Sequence, residues 1–268
     1  MKFRFILVIL VYFLCRNTLS ASPVDPFAFR PRIDSAVNSF YKQQSDLWFF
    51  ARLYQEVSNG IDNLAHDGQF EDSQFVRRIE NTFGYYYFTA LDSFTRNGAL
   101  TAGWQQAFDT SACAQYGFIQ VLVLSINAHI NHDLYLGLRE IFKKTPPEKK
   151  HLRDYDKVSK QHERIAYAFI TNLIKRSPNL SSVQRKILMK AVKKAKKEIR
   201  RERMRIWKMA AKGAKSERKH KRYYRKQLRK AKRYAKRFQK PKGLIKAGFD
   251  ASQCNSLPFF QRSKLLDM

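Results

Sequence analysis

The apolar residues of this chain recur at spacings of three and four, and that spacing restricts it to helices. Leu47, Phe50, Tyr54, Val57, Ile61 and Leu64 make one such stripe, ended by His66-Asp67-Gly68. A side chain every three or four positions falls on one face of a helix, whereas a half-buried strand needs alternation. Asp72 is placed to cap the next helix, whose stripe is Phe75, Ile79, Phe83, Tyr86 and Ala90, with Gly98 just past its end. Trp104 to Phe108 fits a short connecting turn or helix. No alternating run occurs, and no Asn-Gly or Asp-Gly joins two such runs, so the expected fold class is all-α.

A long helix is expected from about Ala112 to Phe142. Its centre, Val121 to Ile126, is apolar nearly all round and belongs in the deepest part of the core. Thr145-Pro146-Pro147 stops it. The next helix starts near Asp154, carries Tyr155, Val158, His162, Ile165 and Phe169 on one face, and ends at Ser177-Pro178. Ser181-x-x-Gln184 is a capping box for a further helix. After it Leu188, Val192, Ala195, Ile199, Ile206 and Met209 form a stripe that only Glu202 interrupts. Gly213 permits a break before a second stripe of Tyr224, Leu228, Ala231, Ala235 and Phe238, which runs to Pro241. The architecture is thus a helical bundle around a long central helix, with a long basic C-terminal helical extension. The expected division is a globular domain over 21–211, a polybasic extension over 212–242 that is exposed or folds on binding, and a tail over 243–268.

The first twenty residues read as a secretory signal peptide. Lys2 and Arg4 precede ten unbroken apolar residues, Phe5 to Leu14, and cleavage after Ser20 leaves Thr18 and Ser20 at the small-residue positions. Ten residues are half of what a membrane span requires, so no transmembrane insertion is expected after cleavage. The protein is expected to be secreted and extracellular. Export also accounts for the cysteines. Cys15 leaves with the signal, and Cys113 and Cys254 remain as a pair able to form one disulfide in an oxidising compartment. Asn179-Leu180-Ser181 is a glycosylation sequon.

Charge is segregated. Between Arg185 and Lys242 stand 28 Lys and Arg against three acids, which accounts for +25 of the chain's net +30. Such a density outside a cell attracts polyanions by a largely sequence-blind term. The candidate contacts are Lys219, Lys221, Arg222, Arg225, Lys226, Arg229, Lys230, Lys232, Arg233, Lys236 and Arg237. The expected partners are sulfated glycans, acidic matrix or anionic surfaces, with nucleic acid bound non-specifically. The expected function is non-enzymatic binding of such polymers; a membrane-active cationic protein is an alternative.

A second alternative rests on the stretch Asn127-Ala128-His129-Ile130-Asn131-His132-Asp133-Leu134. It lies in the most buried helix, where polar groups are costly unless they bond one another or a ligand. Asn127 and Asn131 are four apart, as are His129 and Asp133, so each pair shares a face. His162 lies on the apolar face of the following helix, with Asp154 and Asp156 near its start. His129, Asp133 and His162 make a candidate acid–base group or a site for a divalent metal, the one cofactor the residues point to, and hence a metal-dependent hydrolase. Asn127, Asn131 and His132 complete a polar core cluster, which can equally be self-satisfied and serve to fix helix register. His66, His151 and His220 are expected to be solvated.

At these residues the chain resembles an uncharacterised family, domain of unknown function 5995. The string Asn127 to Leu134 is similar to the family's signature. Phe70-Glu71-Asp72-Ser73-Gln74-Phe75-Val76, Trp104 with Phe108, Asp154-Tyr155, and Arg205-Ile206-Trp207 with Ala210 resemble its other segments. The likeness covers roughly Ile33 to Ala211. It implies a helical domain, marks the polar cluster and names no reaction. Tyr135 departs from the family, where proline is common after Asp-Leu, and the basic segment from Lys212 onward reads as an addition to it.

Overall fold

In a computed structural model, the protein is described over residues 29–111, 117–178, 180–240, 246, 259–264 and 266. The signal segment, Cys113, Cys254 and Asn179 lie outside them. Every regular element is helical: α1 (Phe29–Lys42), α2 (Leu47–His66), α3 (Ser73–Thr95), α4 (Ala102–Ser111), α5 (Phe118–Ala128), a π-helical turn (His129–Asp133), α6 (Leu134–Lys144), α7 (Lys149–Arg176), α8 (Ser182–Ala214), α9 (Glu217–Gln239) and α10 (Phe259–Ser263). Among the described residues no helix is long and apolar enough to cross a membrane.

The capping chemistry sets the boundaries. Asp72 accepts the Phe75 amide at 2.8 Å and starts α3. Ser181 and Gln184 make the reciprocal bonds of a capping box at α8. Glu148 and His151 do the same at α7, which therefore begins at Lys149 rather than near Asp154. His151 is accordingly not solvated. It is 1% exposed and stacks on Phe75 with ring centroids 4.3 Å apart. The sequence reading also left α1 unassigned. Its buried face is Phe29, Ile33, Val37 and Phe40, and Phe29 seats against Gly84, where a side-chain carbon would collide with the phenyl ring.

The expected single helix over 112–142 is instead α5, the π turn and α6 in succession, described from Phe118. It is central, since α2, α3, α4, α8 and α9 all pack against it. Val121, Leu122 and Leu124 are fully buried. Behind it, the C-terminal α10 docks at the start of α2. Phe259 meets Trp48 and Phe49, and the buried Arg262 pairs with Asp46.

The largest correction concerns the basic extension, because α9 is not a free arm. It lies antiparallel to the central helix, along a ladder of polar contacts. Gln120 donates to the Phe238 carbonyl at 2.5 Å, and Asn127 donates to the Ala231 carbonyl at 3.0 Å. His132 meets the Tyr224 hydroxyl at 3.4 Å, and Tyr135 meets His220 at 3.1 Å. Arg139 meets Glu217 at 2.6 Å. Gln227, Ala231 and Ala235 form the buried face of α9. His220, expected in solvent, stacks on Tyr135 at 5.8 Å. The hydroxyl of Tyr135 comes so close to Gly213 that a side-chain carbon there would stand 2.5 Å from it. Gly213 therefore permits close approach rather than breaking α8, which runs on to Ala214. Glu202, the lone acid in the α8 stripe, bonds Arg205 and receives Lys230 of α9.

Candidate functional site

The signature residues fold as a π turn inside an otherwise α-helical rod. The Leu134 amide reaches back to the His129 carbonyl, five residues away. Such turns are rare and recur at functional sites. Here the widened turn collects three N–H groups on one carboxylate. Asp133, 1% exposed, accepts from His129 Nδ1 at 3.1 Å, from His132 Nδ1 at 2.7 Å and from Trp104 Nε1 at 3.1 Å. Burial by itself would raise the Asp133 carboxyl. The hydrogen bonds from His129 and His132 outweigh it and hold the carboxyl below its ordinary value. An ionised carboxylate only accepts, so the ring nitrogens facing it are the protonated ones.

The cluster then divides by face. Asn131 donates to Asn127 at 2.9 Å, Asn127 grips the α9 backbone, and His132 turns its Nε2 to Tyr224. These three residues hold α9 in place. His129 points the other way, into a ring of Phe50, Tyr54, Phe83 and Trp104, with Tyr54 nearest at 4.8 Å between centroids. It keeps 15% of its side-chain surface open, and among the described residues nothing bonds its Nε2.

His162 stands beyond it on α7. Burial, then the charges of Arg203 and His129, push its imidazole well below the usual histidine value. It does not complete a metal triad: among the described residues no group of three His, Cys, Asp or Glu is placed to hold a metal ion. The two nearby acids are used elsewhere. Asp154 accepts the Glu71 and Asp72 amides at 3.0 and 2.7 Å, and Asp156 pairs with Lys160 and Arg200. Two functional groups escaped the sequence reading. Arg203, hidden in the polycation, is 4% exposed and bonds Ser159 at 3.1 Å. Glu80 has its carboxyl pushed up to about 8 by burial and the charge of Asp62.

The basic residues sort by exposure. Of the eleven candidates on α9, ten are exposed, and Lys230 is turned inward to Glu202. None of the ten has a carboxylate partner among the described residues. Two shallow grooves on α7 and α8, about 540 and 710 Å³, add Lys186, Lys190, Lys193, Lys197, Arg201 and Lys208 to the cationic surface.

The fold and these contacts define an all-helical domain built around a buried carboxylate–imidazole centre, with a docked cationic helix. A family model described as a family of unknown function, DUF5995, matches residues 30–241. The chain belongs to that family. The match extends through α9, so the basic helix is part of the family domain and not an addition after Ala211. No curated protein and no solved structure matches the chain.

Proposed function

We propose that this protein is secreted and binds extracellular polyanions, with α9 as its principal contact surface and the α8 grooves beside it. The observation that carries this reading is the set of ten exposed Lys and Arg side chains on α9, unneutralised by any described carboxylate. A helix with such self-repulsion is poor solubility design. Docking α9 by its small residues and backbone carbonyls leaves its cations free for a partner. Because the helix is already folded, a polymer that binds it does not have to order it. Helix α8, 33 residues long, extends the surface by roughly 50 Å, which favours a chain-like partner over a small one. Secretion is supported by the N-terminal signal pattern, and N-terminal sequencing of exported protein tests it. The expected mature start follows Ser20.

The test is retention on heparin resin. Wild type should bind and be released by salt. Changing Arg222, Arg225, Lys226, Arg229, Lys232 and Arg233 to Gln should leave helical content unchanged and lower the eluting salt concentration substantially. Neutralising six to ten anionic groups alters affinity by roughly 10³–10⁵ between low and moderate salt. Retention equal to wild type would overturn the assignment of α9.

A further inference from the structure

The interior between α2, α7, α8 and the π turn holds more polar atoms than its own hydrogen bonds use. Tyr54 Oη, Ser58 Oγ, Tyr87 Oη and Arg203 Nη2 are all buried without a partner among the described residues. A buried donor or acceptor left without a partner keeps its full desolvation penalty. Arg203 is the sharpest case. Its guanidinium lies over Tyr155 at 5.4 Å, and its Nε is on Ser159. No described carboxylate stands within ion-pair distance of it. An unpaired buried charge is among the most destabilising features a core can carry.

Several of these groups lie near His129. Ser159 and His162 lie one turn apart on α7; the Arg203 charge acts on both His162 and Tyr54, and that of His129 on His162. Gln161 of the same turn bonds the Gly60 carbonyl at 3.1 Å, which ties α7 to α2 two residues past Ser58. Tyr54 in turn lies on the His129 ring at 4.8 Å and on Tyr87 at 5.9 Å. A cation, two phenol donors and an imidazole with a free lone pair thus lie close together in the core.

We propose that Arg203 and His129 are the two ends of a binding site for a small anionic molecule, whose carboxylate or phosphate pairs with Arg203 and whose hydroxyl gives a proton to His129 Nε2. In that transfer the ligand O–H bond breaks and an N–H bond forms on Nε2. The charge left on oxygen receives hydrogen bonds from Tyr54 and Tyr87, and Asp133 stabilises the imidazolium. The site is separate from the α9 surface and does not depend on the polyanion reading.

The probe is inorganic phosphate, titrated into the α9 Gln variant at moderate salt so that weak binding to surface cations is reduced. Expected is saturable binding of one phosphate per chain by calorimetry, with a shift of the His129 imidazole nitrogen resonances. Arg203→Met should weaken binding at least tenfold while the phosphate-free protein unfolds at the same or higher denaturant concentration. Tyr54→Phe, which removes an unpaired hydroxyl, is the second variant should Arg203→Met not fold. It should bind several-fold more weakly without loss of stability. Absent saturable binding, binding unchanged in these variants, or binding without the His129 shift would overturn the proposal.

Discussion

Asp133→Asn is the perturbation that most directly tests the centre of this fold. Asp133 is 1% exposed and collects donors from Trp104, His129 and His132. An asparagine there has one acceptor oxygen and one donor nitrogen. It meets His132 or His129 correctly but not both, so one imidazole must change tautomer or leave its N–H unpaired. All three bonds also lose their charge assistance. Hydrogen bonds to charged groups are worth about 1.5–3 kcal/mol each, and breaking a buried charged network typically costs about 3–5 kcal/mol. The expected loss is therefore about 4 kcal/mol at neutral pH. Urea denaturation measures it as a lowered midpoint with an unchanged slope. The sign with pH follows from the direction of the shift. Because the folded Asp133 carboxyl is held below its ordinary value of 3.8, its contribution is present above that value and is lost as pH falls through the lower, folded one. The gap between wild type and variant should be full at pH 6 and narrow below pH 3.8. A gap under about 1 kcal/mol at pH 6, or one that does not change down to pH 2.5, would refute the reasoning.

Two further outcomes follow from groups the fold leaves strained. Glu80, pushed up to about 8 by burial and Asp62, contributes fully below the ordinary glutamate value and loses that contribution as pH rises through 8. Relative to Glu80→Gln, wild type should therefore lose on the order of 3 kcal/mol between pH 5 and pH 9; parallel stability curves for the two would contradict this. Gln227 is fully buried on α9 with neither amide atom bonded among the described residues, level with Asn131, whose Oδ1 is also unpaired. Gln227→Met should hold or raise the melting temperature, and a loss above about 1 kcal/mol would show that the amide is engaged.

What was legible in the sequence was local. The caps at Asp72 and Ser181 rest on contacts three residues apart, and the stripes of α2 and α3 are fixed by helix geometry alone. Glu148-x-x-His151 and the Phe29-Ile33-Val37-Phe40 spacing carried signals of the same kind, which would have placed the start of α7 and the whole of α1. The pair His129–Asp133 was visible as an i, i+4 match. The π turn that adds His132 to the same carboxylate was not, nor was Trp104, which reaches it from α4. The docking of α9 left almost no mark. Its buried face is Gln227, Ala231 and Ala235, and two of its main contacts are backbone carbonyls, which every residue has. Arg203 was lost among 28 cations because one-dimensional charge does not show which side chain turns inward.

By itself, then, the sequence determined an all-helical chain, its family, and the pairing of a histidine with an aspartate in its most apolar helix. Apolar period and short-range capping are properties of neighbouring residues, and they survive without tertiary contacts. Only the tertiary structure decided that the cationic helix is bound along the central rod rather than free, and that the polar signature serves two faces. One of those faces grips α9, and the other presents His129 to Phe50, Tyr54, Phe83 and Trp104. Burial, unpaired charge and convergence are properties of residues distant in the chain, set by which helices pack against which.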